Sequence, residues 1–377
     1  MSELRPLRLT GAEILIADGL RREAISLAGG LITAEGGREI DLSGFRILPG
    51  IIDLHGDGFE RHMAPRRGAV DSPVAGLAGL DAECAASGIT TAVLAQFWSW
   101  EGGMRSPEFA QILAQTLQNS DSLTAMHLQL RVETHMIDTL DAMLGLVERA
   151  GISYVVWNDH LPHKHLAAGK RPPGLTGQAL KAGRAPDDHA KLLAALHANR
   201  PRLAAALAPV AAKLASLGVR MGSHDDNTAA QRAQFRALGA DLCEFPETAA
   251  AARAAKAAGE PVIMGAPNVV RGGSHSGKVA AEALIADGLV DALVSDYHYP
   301  TLARAAMKLV PRMGWAAAWG LVSAGPARVM GWHDRGRIAP GARADLVIVD
   351  DQGRIGGTIA GGRVSYLSGA LAARMLA

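Results

Sequence analysis

Histidines and carboxylates recur in this sequence at one kind of place, the polar end of a short apolar run. His55 and Asp57 follow "GIIDL", Glu133 ends "LQLRVE", and Asp159 with His160 ends "ISYVVWNDH". His224 with Asp225 and Asp226 ends "GVRMGSHDD", and Asp296 follows "DALVS". Residues i and i+2 of a strand share a face, so His55 and Asp57 can point at one centre. A single histidine of this kind is more often a hydrogen-bonded surface residue than a ligand. Five runs ending the same way shift that balance, because imidazoles and carboxylates gathered at one mouth suit a borderline divalent cation such as Zn²⁺, Mn²⁺ or Fe²⁺. The candidate ligands are His55, Asp57, Glu133, His160, His224 and Asp296. A catalytic zinc usually takes three protein ligands, so six are better used by two ions bridged by a carboxylate. The expectation is one or two divalent ions per chain. Asp53, on the same face as His55, reads as a supporting residue.

A second group of residues points to an anion. In "MGAPNVVRGGSHSGKVAAEALI", Gly272 to Lys278 spells G-x-x-x-x-G-K. Val279 stands where the magnesium-binding hydroxyl of a nucleotide-binding loop belongs, so the ATPase signal fails. A phosphate site survives. Gly272 and Gly273 bare backbone N–H groups, Arg271, His275 and Lys278 add donors, and a helix is expected to follow. The alternative is a plain glycine-rich connector. The loop after the first apolar run carries Arg61, Arg66 and Arg67, each by itself compatible with ordinary solvated surface. Together, a metal pair ringed by these cations suits a multiply phosphorylated substrate.

What must position these residues is a set of eight apolar runs: 50–55, 89–96, 128–135, 152–160, 218–226, 241–246, 261–268 and 291–298. Between them lie alanine- and leucine-rich segments with helical spacing, such as Pro73–Ser87, Ile137–Ala150, Glu247–Ala258 and Lys278–Asp287. Near-continuous apolar strands alternating with helices predict a parallel sheet covered on both sides. Eight such units predict an α/β fold, a (β/α)8 TIM-like barrel, whose chemistry sits at the C-terminal strand ends. No G-x-G-x-x-G follows the first strand, which weakens a dinucleotide-binding alternative. Both chain ends read differently, as short β segments with glycine turns. The expected organisation is a barrel over 50–334 and a small β domain made from 1–49 and 335–377.

Composition sets the remaining bounds. The 377 residues are 49% hydrophobic and 20% charged, ordinary values for a globular chain with a large core. A net charge of +1 gives no global electrostatic case for nucleic acid or membrane, so any anion site is local. The two cysteines, Cys84 and Cys243, have no zinc or redox spacing, as expected of a cytoplasmic protein with free thiols. The N-terminus lacks the apolar core of a signal peptide, and no run reaches the ~20 apolar residues of a bilayer span. The expected partner is a small phosphorylated molecule; self-association is left open.

Several of these segments carry a resemblance. "LPGIIDLH" and "PGARADLVIVD" resemble the amidohydrolase superfamily, whose metal-bearing barrel has a small β domain built from both chain ends. "SGITT", "GSHDD", "CEFPET", "VIMGAPNVVRGGSHSGKVAA" and "SDYHYP" resemble more narrowly the PhnM-type α-D-ribose 1-methylphosphonate 5-triphosphate diphosphatases of the carbon–phosphorus lyase pathway. That resemblance implies hydrolysis of a ribose 5-triphosphate to the 5-phosphate and pyrophosphate, with Asp296 orienting the attacking water and accepting its proton. The chain departs from the family pattern in three loops. Gly56 and Gly58 replace the Thr and Asn of His-Thr-Asp-Asn; Leu161-Pro162-His163-Lys164 replaces Ser/Thr-Pro-Gly-Gln; and Asp296–Pro300 holds an extra residue. Competing functions are hydrolysis of an amide, imide or amino group in another small phosphorylated substrate, and a non-catalytic binding subunit of a phosphonate-processing complex. Neither makes full use of the cations and the ligands together.

Overall fold

The computed structural model describes residues 5–34, 36–64, 72–273 and 277–377. Among these, eight parallel strands run in sequence order around a nearly closed barrel: Ile51–Gly56, Ile89–Trp98, Ala125–Glu133, Tyr154–Asn158, Arg220–His224, Leu242–Glu244, Val262–Gly265 and Ala292–Val294. The second strand shows why the sequence reads as a continuous apolar run. All ten of its residues are buried, since helices cover the outside and side chains fill the inside. The (β/α)8 barrel expected from the strand count is therefore present.

Closure of the ring involves the site itself. The eighth strand meets the first through an isolated parallel bridge between Gly56 and Asp296. The Asp296 N–H donates to the His55 carbonyl at 2.9 Å, and the Asp57 N–H donates to the Asp296 carbonyl at 2.8 Å. Asp53 tightens the same seam. It is fully buried and accepts from the Ser295 N–H at 2.9 Å and the Ser295 hydroxyl at 2.5 Å. Asp53 thus holds the first and eighth strands together, the supporting role expected of it.

The fifth and sixth strands turn sharply into helices. Thr228 caps Ala229–Ala237 by accepting from the Gln231 N–H, and Thr248 caps Ala249–Ala257 by accepting from the Ala251 N–H. These caps leave only a few residues between strand and helix. Asp225 and Phe245 meet that constraint with φ of 59° and 48°, and Asp296 after the eighth strand has φ of 55°. These are the non-glycine positive-φ residues among those described. Left-handed backbone costs a residue with a Cβ of order 1–3 kcal/mol and gathers at functional sites. Here all three strained residues lie at strand ends facing one cavity.

The chain ends build two further sheets. One holds Leu31–Thr33, Ile25–Ala28, Leu7–Thr10 and Arg38–Asp41 in that order; the other runs Arg363–Leu367, Ile355–Ala360, Leu346–Val349, Arg46–Pro49, Glu13–Ile16 and Gly19–Arg22. The pairing of Arg46–Pro49 with Leu346–Val349 joins the two ends of the chain. Their apolar faces share a core of their own, including Leu9, Ile14, Ile47, Leu346, Ile348 and Leu371. No helix among the described residues is long and apolar enough to cross a membrane.

Candidate metal centre

Three imidazoles line up across the barrel mouth. His55 and His224 stack with ring centroids 5.2 Å apart and planes 20° from parallel, and His160 stands 6.0 Å from His224. Phe245 packs steeply inclined to both His55 and His224, with ring centroids 4.9 and 5.0 Å away, and forms an apolar wall. Donor atoms of His55, His224 and Glu244 lie within 4.8 Å of one another; those of His160, His224 and Asp225 form a second such group. His224 belongs to both.

Glu244 anchors the first group. It is fully buried at the end of the sixth strand, with Oε2 2.9 Å from His55 Nδ1 and 3.1 Å from His224 Nδ1. Its Oε1 accepts from Gln129 at 2.7 Å and from the Tyr154 hydroxyl. Burial opposes the charge, but the two histidines outweigh it and hold the carboxyl below its usual range. Glu133 does something different. Its Oε1 is 2.5 Å from His160 Nδ1, and its Oε2 accepts from the His160 N–H at 3.1 Å and from the Trp100 indole at 3.3 Å. Burial disfavours a charged His160, yet this carboxylate raises the ring's pKa. With Nδ1 engaged, Nε2 is the nitrogen His160 has to offer. A carboxylate holding the far nitrogen of a ligand imidazole is a familiar support in metal sites.

The residues fit a divalent cation. Neither ring nitrogen of the fully buried His55 has a hydrogen-bond partner, because the approach of Nδ1 to Glu244 is close but poorly aligned. Burial and the neighbouring Arg131 push the pKa of His224 down to about 4, so its ring is neutral at pH 7, as a ligand must be. A cation already stands among these groups. The Arg131 guanidinium lies 3.9 Å from the Phe97 ring centroid, with Nη2 2.9 Å from His224 Nε2 and Nη1 3.5 Å from Asp57 Oδ2. Arg131 and Glu133 are i and i+2 on one strand, so both face the barrel interior.

Asp296 lines the cavity wall. Burial first, and then the charge of Asp57, raise its pKa to about 6, the range of a carboxylate that can exchange protons at neutral pH. The cavity is about 300 Å³ and runs from His224, Asp225 and Asp296 past Phe245 and Asn268 to Arg271, Lys278 and Tyr297. Arg271 Nη2 donates to the Tyr297 hydroxyl at 2.7 Å. Lys278 pairs with Glu247 and lies 3.5 Å from Asp225 Oδ1.

Of the residues singled out from sequence, His55, His160, His224 and Asp296 therefore meet at one mouth, with Asp57 joined to them through Arg131 and Glu133 supporting His160. Arg271 and Lys278 lie on the same cavity. Gly272 ends the helix Ala266–Arg271 in left-handed geometry, and Gly273 follows it. The helix after the glycine loop is Ala281–Ala286, and its Ala281 N–H is taken by the Asn268 side chain at 3.0 Å. Arg61 is bound to Glu83 and the Tyr297 carbonyl and sits 5.6 Å from the Tyr299 ring centroid. Arg66, Arg67 and His275 lie outside the described residues. Asp226 turns inward to Ser223 and the fully buried Arg232.

Sequence reasoning passed over Glu244, Asp225 as a ligand, and Arg131. Glu244 had a signal, since "DLCE" is another apolar run ending in a carboxylate. Arg131 carried only its two-residue spacing from Glu133.

Gly56 and Gly58 share one structural cause. A Cβ at Gly56 would lie 2.7 Å from both Asp53 Oδ2 and Tyr299 Cε1; one at Gly58 would lie 3.0 Å from Tyr299 Cε2. Tyr299 is fully buried and fills the space that side chains at 56 and 58 would need. Gly56→Thr is expected to destabilise the chain by about 1–3 kcal/mol through overpacking. A second change of Tyr299 to Val should recover part of the loss. The midpoint of urea unfolding reads both; an unshifted midpoint for the single variant would disprove the steric account.

A barrel with imidazoles and carboxylates at its C-terminal mouth, flanked by sheets from both chain ends, defines an amidohydrolase-type hydrolase. The Amidohydrolase family model matches residues 188–365. The chain is 34% identical over 327 residues, 82% of its length and 84% of the relative's, to the α-D-ribose 1-methylphosphonate 5-triphosphate diphosphatase of Escherichia coli (strain K12). The chain belongs to the amidohydrolase superfamily and, within it, to the family of that diphosphatase. Solved structures agree on the fold. N-acetylglucosamine-6-phosphate deacetylase from Pasteurella multocida aligns with a TM-score of 0.63 at 13% identity, covering 95% of this chain and 99% of its own. Molinate hydrolase aligns with a TM-score of 0.64 at 13% identity, covering 97% and 95%.

Proposed function

We propose that this protein hydrolyses α-D-ribose 1-methylphosphonate 5-triphosphate to the 5-phosphate and pyrophosphate in phosphonate catabolism. The observation that carries the reading is the cavity in which His224, Asp225 and Asp296 share walls with Arg271 and Lys278. One end suits a divalent cation and the other a string of phosphate oxygens. Amide hydrolysis has no need of the second end. The relative's activity supports the same substrate class.

The ion or ions, Zn, Mn or Fe, would be held by His55, His160, His224, Glu244 and Asp225, with Asp57 and Asp296 adjacent and Glu133 orienting His160. When bound, such a cation supplies charge for the non-bridging oxygens and lowers the pKa of water. The chain's own groups do the rest. Arg271 and Lys278, with His275 and Gly273 on the same loop, bind the polyphosphate, which orients the α-phosphorus toward the mouth. Asp296 Oδ takes the proton of the attacking water, and the apolar ring of Phe245 keeps bulk water away. Neutralising the departing pyrophosphate is the main electrostatic task of phosphoryl transfer. Arg61, Arg66 and Arg67 are proposed to meet the substrate's outer charges.

Phosphorus NMR with a ribose 5-triphosphate bearing a 1-phosphonate tests the reaction. Pyrophosphate and a 5-monophosphate should grow together, with the phosphonate signal retained. Stepwise orthophosphate release, or no turnover in metal-loaded protein, would refute it. Lys278→Ala should raise KM for the triphosphate about tenfold or more, the cost of one charged hydrogen bond, without changing metal content. An unchanged KM would make the loop a bystander.

A further inference from the structure

The loops after the third and fourth barrel strands carry a second cluster of metal-binding groups. His135 lies two residues beyond Glu133, and Asp159 directly precedes His160. His163 begins the helix His163–Ala167, and His197 lies near the end of the helix Pro186–Ala198. Donor atoms of His135, Asp159 and His163 lie within 4.8 Å of one another, and none of these residues belongs to the groups at the barrel mouth.

Each contact fits a bound cation. Both Asp159 oxygens are 2.8 Å from His163 Nε2, and Asp159 Oδ1 is 3.5 Å from His135 Nδ1. Ligand atoms on a tetrahedral ion with bonds near 2.0–2.1 Å sit roughly 3.3 Å apart, between those two separations. His163 Nδ1 is 2.9 Å from His197 Nδ1, so one of the two rings must carry the hydrogen. If His163 offers Nε2 to an ion, its Nδ1–H donates to His197, and the tautomer is fixed in the manner usual for metal-bound histidine. His135 is 1% exposed, and the nitrogen it turns to Asp159 is Nδ1, which also lies 3.3 Å from the Thr134 hydroxyl. Two imidazoles and one carboxylate suit Zn²⁺ better than Mg²⁺ or Ca²⁺, which prefer all-oxygen surroundings.

We propose that His135, Asp159 and His163, with His197 orienting His163, form a second transition-metal site that takes Zn²⁺ or an ion of similar preference. Its role is to fasten the helical segment 163–202 to the ends of the third and fourth strands. That segment closes over a small apolar cluster of Trp100, Leu161, Leu175, Leu193 and Leu196. Trp100 donates to Glu133, so the fastening also backs the support of His160. The site goes beyond the proposed reaction and stands whatever substrate the barrel takes.

Zinc counting tests it. Chelator-stripped protein is loaded with Zn²⁺, freed of excess and analysed for metal by mass spectrometry. A His55→Ala/His224→Ala chain, lacking the barrel-mouth ligands, should keep one zinc, and adding His163→Ala should remove it. If the double variant fails to fold, the comparison is made in the otherwise unaltered chain, where His163→Ala should bind one zinc fewer. His163→Cys supplies another ligand and should retain the ion; loaded with Co²⁺, it should show thiolate-to-cobalt charge-transfer absorption. Equal zinc in His163→Ala and its parent, or a His163→Cys cobalt spectrum without that absorption, overturns the proposal.

Discussion

His224→Ala is expected to empty the barrel-mouth centre of its ion and to lower kcat by at least about 10³-fold. The effect should exceed that of any other single ligand because His224 is common to both donor groups. Its Nδ1 faces Glu244 at 3.1 Å and its Nε2 faces Arg131 at 2.9 Å, so alanine removes contacts on two sides. With a pKa near 4, the ring offers its lone pair at pH 7 without first expelling a proton. Alanine also deprives the buried Glu244 of one of the two imidazoles that keep it ionised. Metal analysis and the phosphorus NMR assay read the two consequences separately, with circular dichroism as the check on folding. Full activity in protein shown to be free of metal would sink the assignment.

Asp296→Asn should keep the ion and lose about 10²–10⁴ in kcat, the usual contribution of a positioned general base. Geometry argues that the variant stays in place. The backbone of residue 296 is bonded to the first strand on both sides, through the His55 carbonyl and the Asp57 N–H. Asparagine tolerates the φ of 55° found there. What changes is the capacity to take a proton, held by aspartate at a pKa of about 6 through burial and the charge of Asp57. Hydrolysis in ¹⁸O-water then locates the attack. Label should enter the ribose 5-phosphate and be absent from pyrophosphate; label in pyrophosphate would mean attack at another phosphorus. Near-normal kcat in the asparagine variant would end the base role.

The barrel was legible because its strands are buried on both faces and so appear as uninterrupted apolar runs. "ITTAVLAQ" extends into a strand with every residue buried. Ends of runs were less legible. "PVIMGAPN" stays apolar past Gly265, yet the strand stops there and Ala266 opens a helix whose second residue is Pro267. A proline is welcome at a helix start and unwelcome in a central strand, a distinction that apolar periodicity alone does not carry.

Sequence by itself determined which residue types reach the mouth. Strand order is chain order in this barrel, and His55, His160, His224 and Asp296 each stand at the polar end of an apolar run, so a shared mouth could be expected from their position in those runs. Division of labour among them was decided only by the tertiary structure. Glu133 and Glu244 both end apolar runs, yet one bonds the far nitrogen of His160 while the other lies between His55 and His224. The difference is a matter of a few ångströms across the barrel, between residues about a hundred positions apart in the chain. The same holds for Gly56 and Gly58, which look like loosened loop positions until Tyr299 is seen filling the space beside them. Local sequence sets the direction of a side chain; what it meets depends on strands brought alongside by closure of the ring, where Asp296 bonds to both sides of Gly56.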